Sequence, residues 1–288
     1  MIAAFISVLF DGVAYGSLLF VISVGMSVTM GLMNFVNLAH GAFAMFGGYL
    51  AVWLMTHWGV PFVATLPAVT LVFGGVGAVL EWLLYRRVSR TRHLDQVLFT
   101  IGLAFIATAL ATRGWGPSQV GIRLPAVLTG QVHALGLDLG VYRLFLIGIV
   151  IAITLVLHLL VGHTRFGAQL RAAVDNRDAA AGLGIPVDHV FSVSFALGSG
   201  LAALGGALGI DVLGLDPNFA FKYMVYFLLV VVVGGEGSIL GSAVAAVALG
   251  VFDVVGKYYI PGVGAFLIYA LMVVLLLVFP GGLFRRRR

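Results

Sequence analysis

Three short stretches gather the residues able to hold a ligand, a proton or a partner. The first, Met33-Asn34-Phe35-Val36-Asn37-Leu38-Ala39-His40-Gly41-Ala42-Phe43, sets two asparagines and a histidine into otherwise apolar sequence. Unsatisfied polar groups at membrane depth are costly, so these side chains need partners. If Asn37 begins a helix, its side chain caps it, and His40 and Gly41 fall in the first turn, where the helix dipole attracts carboxylates. Three readings stay open: a short turn with a capped helix, a broken helix lining a pathway, and a histidine-centred proton relay. The second stretch, Val233-Gly234-Gly235-Glu236-Gly237-Ser238-Ile239-Leu240-Gly241-Ser242, breaks a helix with glycine, and its serines can bond the bared backbone. Glu236 is there either an intramembrane carboxylate with a task or a group at the water boundary.

The third stretch is the longest polar run between two apolar spans: His163 to Gly167, then Arg171, Asp175, Asn176, Arg177 and Asp178, ending Gly182-Leu183-Gly184-Ile185-Pro186. Asn176 is a good N-cap, Asp178 sits near the positive end of the helix dipole, and Ala179 to Ala181 favour helix. Gly182, Gly184 and Pro186 read as the stop. A helix this short is marginal alone, so a partner surface holds it unless it is an ordinary loop with one helical turn.

Known catalytic signatures are missing. No G-x-x-x-x-G-K-[ST], H-E-x-x-H or G-x-S-x-G occurs, so a P-loop ATPase, a metalloprotease and a serine hydrolase lose their usual marks. The histidines are scattered without metal-ligand spacing, and cysteine is absent, which removes disulfides and thiolate metal sites.

These stretches must be positioned by membrane helices. The 288 residues are 61% hydrophobic and 9% charged, with mean hydropathy +1.13, far from the roughly 25% charged of a soluble domain. Apolar runs near 20 residues fit helices rather than alternating barrel strands. The pattern predicts an all-α membrane protein, a polytopic helical bundle of about eight or nine spans: 5–30, 38–57, 60–84, 95–113, 141–162, 190–211, 222–234, 238–256 and 263–280. The second, seventh and eighth are read as candidates for broken or re-entrant helices, and the 39 glycines suit close packing. The chain is one transmembrane domain over 1–288, with 114–140 an ordered cap or docking surface outside.

Net charge +5 tempts one toward nucleic acid, but the cations cluster at span ends, where topology explains them. Arg86, Arg87, Arg90, Arg92, Arg165, Arg171, Arg177 and Arg285 to Arg288 make eleven on one side. Arg113, Arg123, Arg143, Lys222 and Lys257 make five on the other. The rule places the larger set in the cytoplasm, the N-terminus outside and the arginine tail inside as a topology anchor, with contact to anionic lipid a minor extra. Asp11, Glu81, Asp211, Asp216 and Asp253 read as interfacial, His158 as a packed core histidine, and Trp53, Trp58, Trp82, Tyr85, Tyr258 and Tyr259 as interface belts. A faint echo links Ala39–Gly48 with Gly198–Gly206.

The three signals in this order resemble the permease subunits of bacterial ABC importers for branched-chain amino acids. Asn37-Leu-Ala-His40-Gly41 with Gly47-Gly48-Tyr49 looks like that family's first signature. Arg171-Ala-Ala-x-Asp175 through Ala180-x-Gly182-x-Gly184-Ile185 is similar to its cytoplasmic coupling segment, and Gly234-Gly235-x-Gly237-Ser238-x-x-Gly241 to its late glycine-rich signature. The resemblance implies an inner-membrane permease without a cofactor of its own, with ATP used by partner subunits. It implies a second permease subunit, two cytoplasmic ATPases and a periplasmic solute-binding protein, with Asn176 to Ile185 (163–189 being the coupling loop) seated in an ATPase groove. The translocation path would draw on Asn37, His40, Gly41, Gly235, Glu236, Gly237 and Ser238. Pro186 and His189 depart from the family, which often has a polar and a strongly basic residue there. Urea or a short amide is the alternative substrate within the family. An ion-driven secondary transporter using Glu236 and His40 is the rival outside it.

Overall fold

The span limits read from hydropathy agree with helices in the computed structural model, which describes residues 2–33, 36–89, 91–122, 124–134 and 137–278. Asn34 and Phe35 of the first polar stretch, Arg90, Arg123 and the Arg285–Arg288 tail lie outside these residues. In chain order the helices are α1 (Ile2–Met33), α2 (His40–Trp58), α3 (Phe62–Leu80), α4 (Arg86–Val88), α5 (His93–Trp115), α6 (Val141–His163), α7 (Arg165–Asp175), α8 (Arg177–Gly182), α9 (Val187–Leu213), α10 (Phe219–Gly234), α11 (Ile239–Tyr259) and α12 (Gly264–Val278). A π-helical turn, Glu81–Tyr85, joins α3 to α4 without a break. Among the described residues, nine helices have fifteen residues or more and six are long and apolar enough to cross a membrane, roughly consistent with the eight or nine spans expected, and the chain is an all-α polytopic bundle.

Two helices form its centre. In α9, 72% of the most apolar window is buried, against 11% in α6, which lies at the periphery with an apolar outer face. The other central helix, α1, packs along α9 and α11. Small residues allow this: Gly25 faces Gly198 backbone to backbone, and Gly16 faces Gly250, where no side chain has room. The two segments that echo each other in sequence also touch. Gly47 of α2 abuts Ala203 of α9, and Gly206 of α9 abuts the Ala44 carbonyl of α2.

The bundle has two distinct ends. At one lie α7, α8 and the turn between α10 and α11. At the other, Val120 N–H donates to the Leu215 carbonyl at 2.8 Å, Arg143 pairs with Asp11, and two antiparallel strands, β1 (Gln131–Ala134) and β2 (Leu137–Gly140), form a hairpin. The cap expected over 114–140 therefore contains strand structure that hydropathy did not reveal. Of the spans suspected of being broken, α11 is continuous over 21 residues and packs along α1 from Gly31 to Gly12.

Several polar residues are placed differently from expectation. Glu81 is fully buried beside Ser192 and Arg86, and Asp253 is 1% exposed, bonded to Lys257 at 2.5 Å and Tyr226 at 3.3 Å. Neither is merely interfacial, because each has a partner on its own or a neighbouring helix. Tyr85 is buried rather than part of a belt, whereas Trp58, Trp82, Tyr258 and Tyr259 are exposed as a belt requires. His158 is exposed on the apolar face of α6, not packed in the core.

Candidate functional site

Helix α1 ends at the α7–α8 end of the bundle, yet α2 begins well inside it. The His40 ring Nε2 lies 2.8 Å from the Ile22 carbonyl of α1. Nine residues separate Ile22 from Gly31, so His40 sits ~14 Å in from the level of Gly31 at 1.5 Å per residue. The second span is thus one continuous helix over 19 residues that starts at depth rather than at the level where α1 ends. Gly41 lets this start press against the Ala220 backbone of α10, 3.0 Å from where a methyl would stand.

Asn37 does not cap α2 in the expected way. The cap position is Ala39, and the Asn37 carbonyl oxygen Oδ1 accepts from Ala39 N–H at 3.1 Å, closing an Asx turn that begins two residues before the cap. The same Oδ1 accepts from the Tyr85 hydroxyl at 3.2 Å, while the amide Nδ2 is buried without a hydrogen-bond partner. Around these groups Tyr85, Phe195 and Phe43 form an aromatic wall, with Tyr85 and Phe195 centroids 4.6 Å apart. The His40 ring and the Asn37 carbonyl oxygen thus each find a partner on a neighbouring segment, as an apolar interior demands.

The glycine-rich stretch turns the chain from α10 into α11 at the α7–α8 end. Gly235 and Gly237 have φ of 83° and 78°, a region that side chains disfavour. Gly237 N–H donates to the Ser27 carbonyl of α1 at 2.9 Å, and Ser238 caps α11 by accepting from Gly241 N–H at 3.0 Å. Ser242 then reaches Ser27 at 2.9 Å. Glu236 is exposed at this turn. The two groups of candidate path residues, Asn37 to Gly41 and Gly235 to Ser238, are thus separated in depth along α1.

Beside this turn lies the third stretch. Thr164 caps α7 through Gly167 N–H at 3.0 Å, and Asn176 caps α8 through Ala179 N–H at 2.9 Å, as its position predicts. Helix α8 stops in a Schellman arrangement: Ile185 N–H returns to the Ala180 carbonyl, Gly184 N–H to that of Ala181, and Gly184 has φ 82°. Gly182 is still helical, so the stop resides in Gly184. Leu170 and Ala173 of α7 face inward, and Val174 would meet a methyl at Gly237 at 3.3 Å. Arg171, Asp175, Asn176 and Asp178 are exposed; Ala180 is buried and Ile185 half-buried. Leu183, at the tip, is 82% exposed. Sequence reasoning passed over Leu183 because one leucine among so many carries no signal without its exposure.

Comparison with known proteins points the same way. The family model for the permease component of the branched-chain amino acid transport system matches residues 8–276. The high-affinity branched-chain amino acid transport system permease protein LivH of Escherichia coli K12 is 26% identical over 298 residues, covering 98% of this chain and 96% of its own length. The corresponding permease protein BraD of Pseudomonas aeruginosa is 25% identical, with 96% and 95% covered. A probable permease LivH of Methanocaldococcus jannaschii is 25% identical, with 96% and 91% covered. No solved structure matches the chain. The match runs through all three polar stretches and nearly every helix, and the chain belongs to the family of branched-chain amino acid transport system permease components.

Proposed function

We propose that this chain is the membrane-embedded subunit of an ATP-driven importer of branched-chain and other hydrophobic amino acids, and that separate ATPase subunits hydrolyse the ATP. The observation that carries this reading is α8. It is a six-residue helix, capped at both ends, standing in solvent with an exposed leucine at its tip. So short a helix has little stability of its own, and a preformed one offering an apolar knob suits insertion into a partner's groove. Its base is not free-standing: α7 rests on the Gly237 turn, which in turn bonds α1. Movement imposed on α8 thereby reaches the helices that would bound the path, and alternating access follows from biasing two arrangements of that bundle.

In this reading the α7–α8 end is cytoplasmic. Among the described residues it carries Arg86, Arg87, Arg92, Arg165, Arg171 and Arg177, against Arg113, Arg143, Lys222 and Lys257 at the other end. The N-terminus is periplasmic, the C-terminus cytoplasmic, and the hairpin end receives a solute-binding protein. A second permease subunit covers part of the exposed apolar surface and lipid the rest. An ion-driven carrier would need a buried carboxylate facing a histidine. Glu236 is exposed, and the His40 ring is bonded to a backbone carbonyl.

The test is purification of the tagged chain at native expression, with mass spectrometry of what accompanies it, followed by uptake in proteoliposomes. ATPase chains, a second permease and ATP-dependent uptake of leucine, isoleucine or valine are expected. Uptake of urea or short amides alone would move the substrate. A chain that reproducibly comes alone would overturn the reading.

A further inference from the structure

Glu81 is a carboxylate with no exposed surface, set in the first position of a π-helical turn, and nothing above gives it a task. A π turn inserts one extra residue into a helix, here with Arg86 N–H bonding the Glu81 carbonyl five residues back, and such turns recur where helices must adjust. The carboxylate spans two helices. Ser192 of α9 donates to its Oε2 at 2.5 Å, and Arg86 lies 3.4 Å from Oε1. Arg86 also donates to Ser192 Oγ at 3.0 Å and toward the Asp188 carbonyl at 3.5 Å.

The contacts continue in both directions. Outward, the Asp188 side chain pairs with Arg177, the first residue of α8, at 3.4 Å. Inward, the last residue of the π turn is Tyr85, whose hydroxyl donates to Asn37 at the buried start of α2. One chain of contacts thus runs from the exposed helix α8 through the first two turns of α9 and the π turn to the buried Asn37 just before α2.

We infer that Glu81 is a positioning residue for coupling: it holds the π turn to the second turn of α9, so that displacement of α8 is carried to Asn37 and the start of α2. The inference rests on the transport reading above. Its bistable element is the π turn. Reverting it to α-helical register turns the following residues by about 100° and withdraws Arg86 from Ser192.

The test uses the assembled complex in proteoliposomes and reads amino acid imported per ATP hydrolysed. A merely structural loss removes active complexes and lowers both rates together, leaving this ratio unchanged. Glu81→Gln keeps the shape and the acceptor for Ser192 but discharges the pair with Arg86, while Tyr85→Phe keeps the ring and cuts the bond to Asn37. Each is expected to lower the ratio about fivefold or more, within the usual range of coupling between sites. The double variant should fall no further than the worse single one, because both cut the same chain. Ratios equal to wild type, or losses that multiply in the double variant, overturn the role of Glu81. If Glu81→Gln does not accumulate, Ser192→Ala with Tyr85→Phe gives the same cycle. A wild-type complex that imports nothing with ATP would instead overturn the transport reading, so the two failures are distinguishable.

Discussion

Asn37 and Asn176 each stand just before a helix, and by sequence alone each is a cap. Asn176 becomes one: its Oδ1 accepts from Ala179 N–H, in water, at the head of an isolated six-residue helix. Asn37 does not. Its Oδ1 is shared between Ala39 N–H and the Tyr85 hydroxyl, and the helix it precedes begins in the interior, against α1 and α10. The difference lies in who satisfies the backbone. An exposed short helix has only its own neighbours in sequence, so its cap must be local. A helix that starts at depth is held by the helices around it, which frees its asparagine to join two segments. The buried start is therefore a tertiary structure, and the exposed helix a local one.

Substitutions in the two regions should separate these cases. The largest effect is expected at the crossing that holds α2 in place. Gly206→Val would drive a side chain into the Ala44 carbonyl, with helix backbones on both sides and no flexible neighbour to yield. Overpacking of this kind commonly costs about 1–3 kcal/mol and occasionally more, and a backbone collision belongs at the upper end. Little or no monodisperse protein should survive detergent extraction, read by fluorescence-detected size exclusion. Normal yield and melting temperature would show that α2 and α9 are not locked together there.

Asn37→Ala comes next. It removes the acceptor for Ala39 N–H and for Tyr85 and leaves buried groups unpaired, which costs about 1–3 kcal/mol. A lower melting temperature together with reduced uptake is expected, and unchanged melting would mean that Asn37 is not the joint between α2 and α3. Far less stability is at stake in Gly184→Pro and Asp178→Lys. Proline is fixed near φ −65° and cannot adopt the 82° of Gly184, so the stop of α8 is rebuilt locally. Asp178→Lys reverses an exposed charge beside the positive end of α8. Both should insert and melt like wild type, within about 0.5 kcal/mol for the surface charge. Uptake and substrate-stimulated ATP hydrolysis should nevertheless fall. Undiminished uptake in both would remove α8 from the coupling path.

The same contrast marks what was legible beforehand. The long apolar helices, the cap at Asn176 and the helix stop near Gly184 are local properties, encoded by neighbours within a turn or two, and they are readable in the sequence. The depth of His40 is not legible, because apolar sequence reads alike whether a helix starts at the surface or halfway in. Glu81 was misplaced at the interface because Ser192, which makes its burial tolerable, lies 111 residues away in the chain. The π turn carries no signal of its own in a run of good helix formers. Glu236 was ambiguous because glycines permit a break at any depth, and only the bonds of Gly237 and Ser242 to Ser27 fix the level.

The smallest effect tests the local half of the comparison by itself. Asn176→Ala deletes the cap of α8 while touching nothing in the interior, so its cost of about 1 kcal/mol should be confined to that helix. Global melting would then stay at the wild-type value, since α8 contributes only Ala180 to the core. Hydrogen exchange should show faster amides in Ala179 to Leu183 and unchanged ones in α9, because local opening is governed by local bonds. Asn176→Asp should restore protection, since aspartate caps as well and adds a charge favourable to the helix dipole. The corresponding change at the buried start, Asn37→Asp, should not be tolerated, because it places a carboxylate in an interior where none of the described residues is a cation bonded to that position. Equal tolerance of aspartate at both positions would mean that the start of α2 is wetter than its packing indicates, and the distinction between a tertiary and a local helix start would then fail at its first premise.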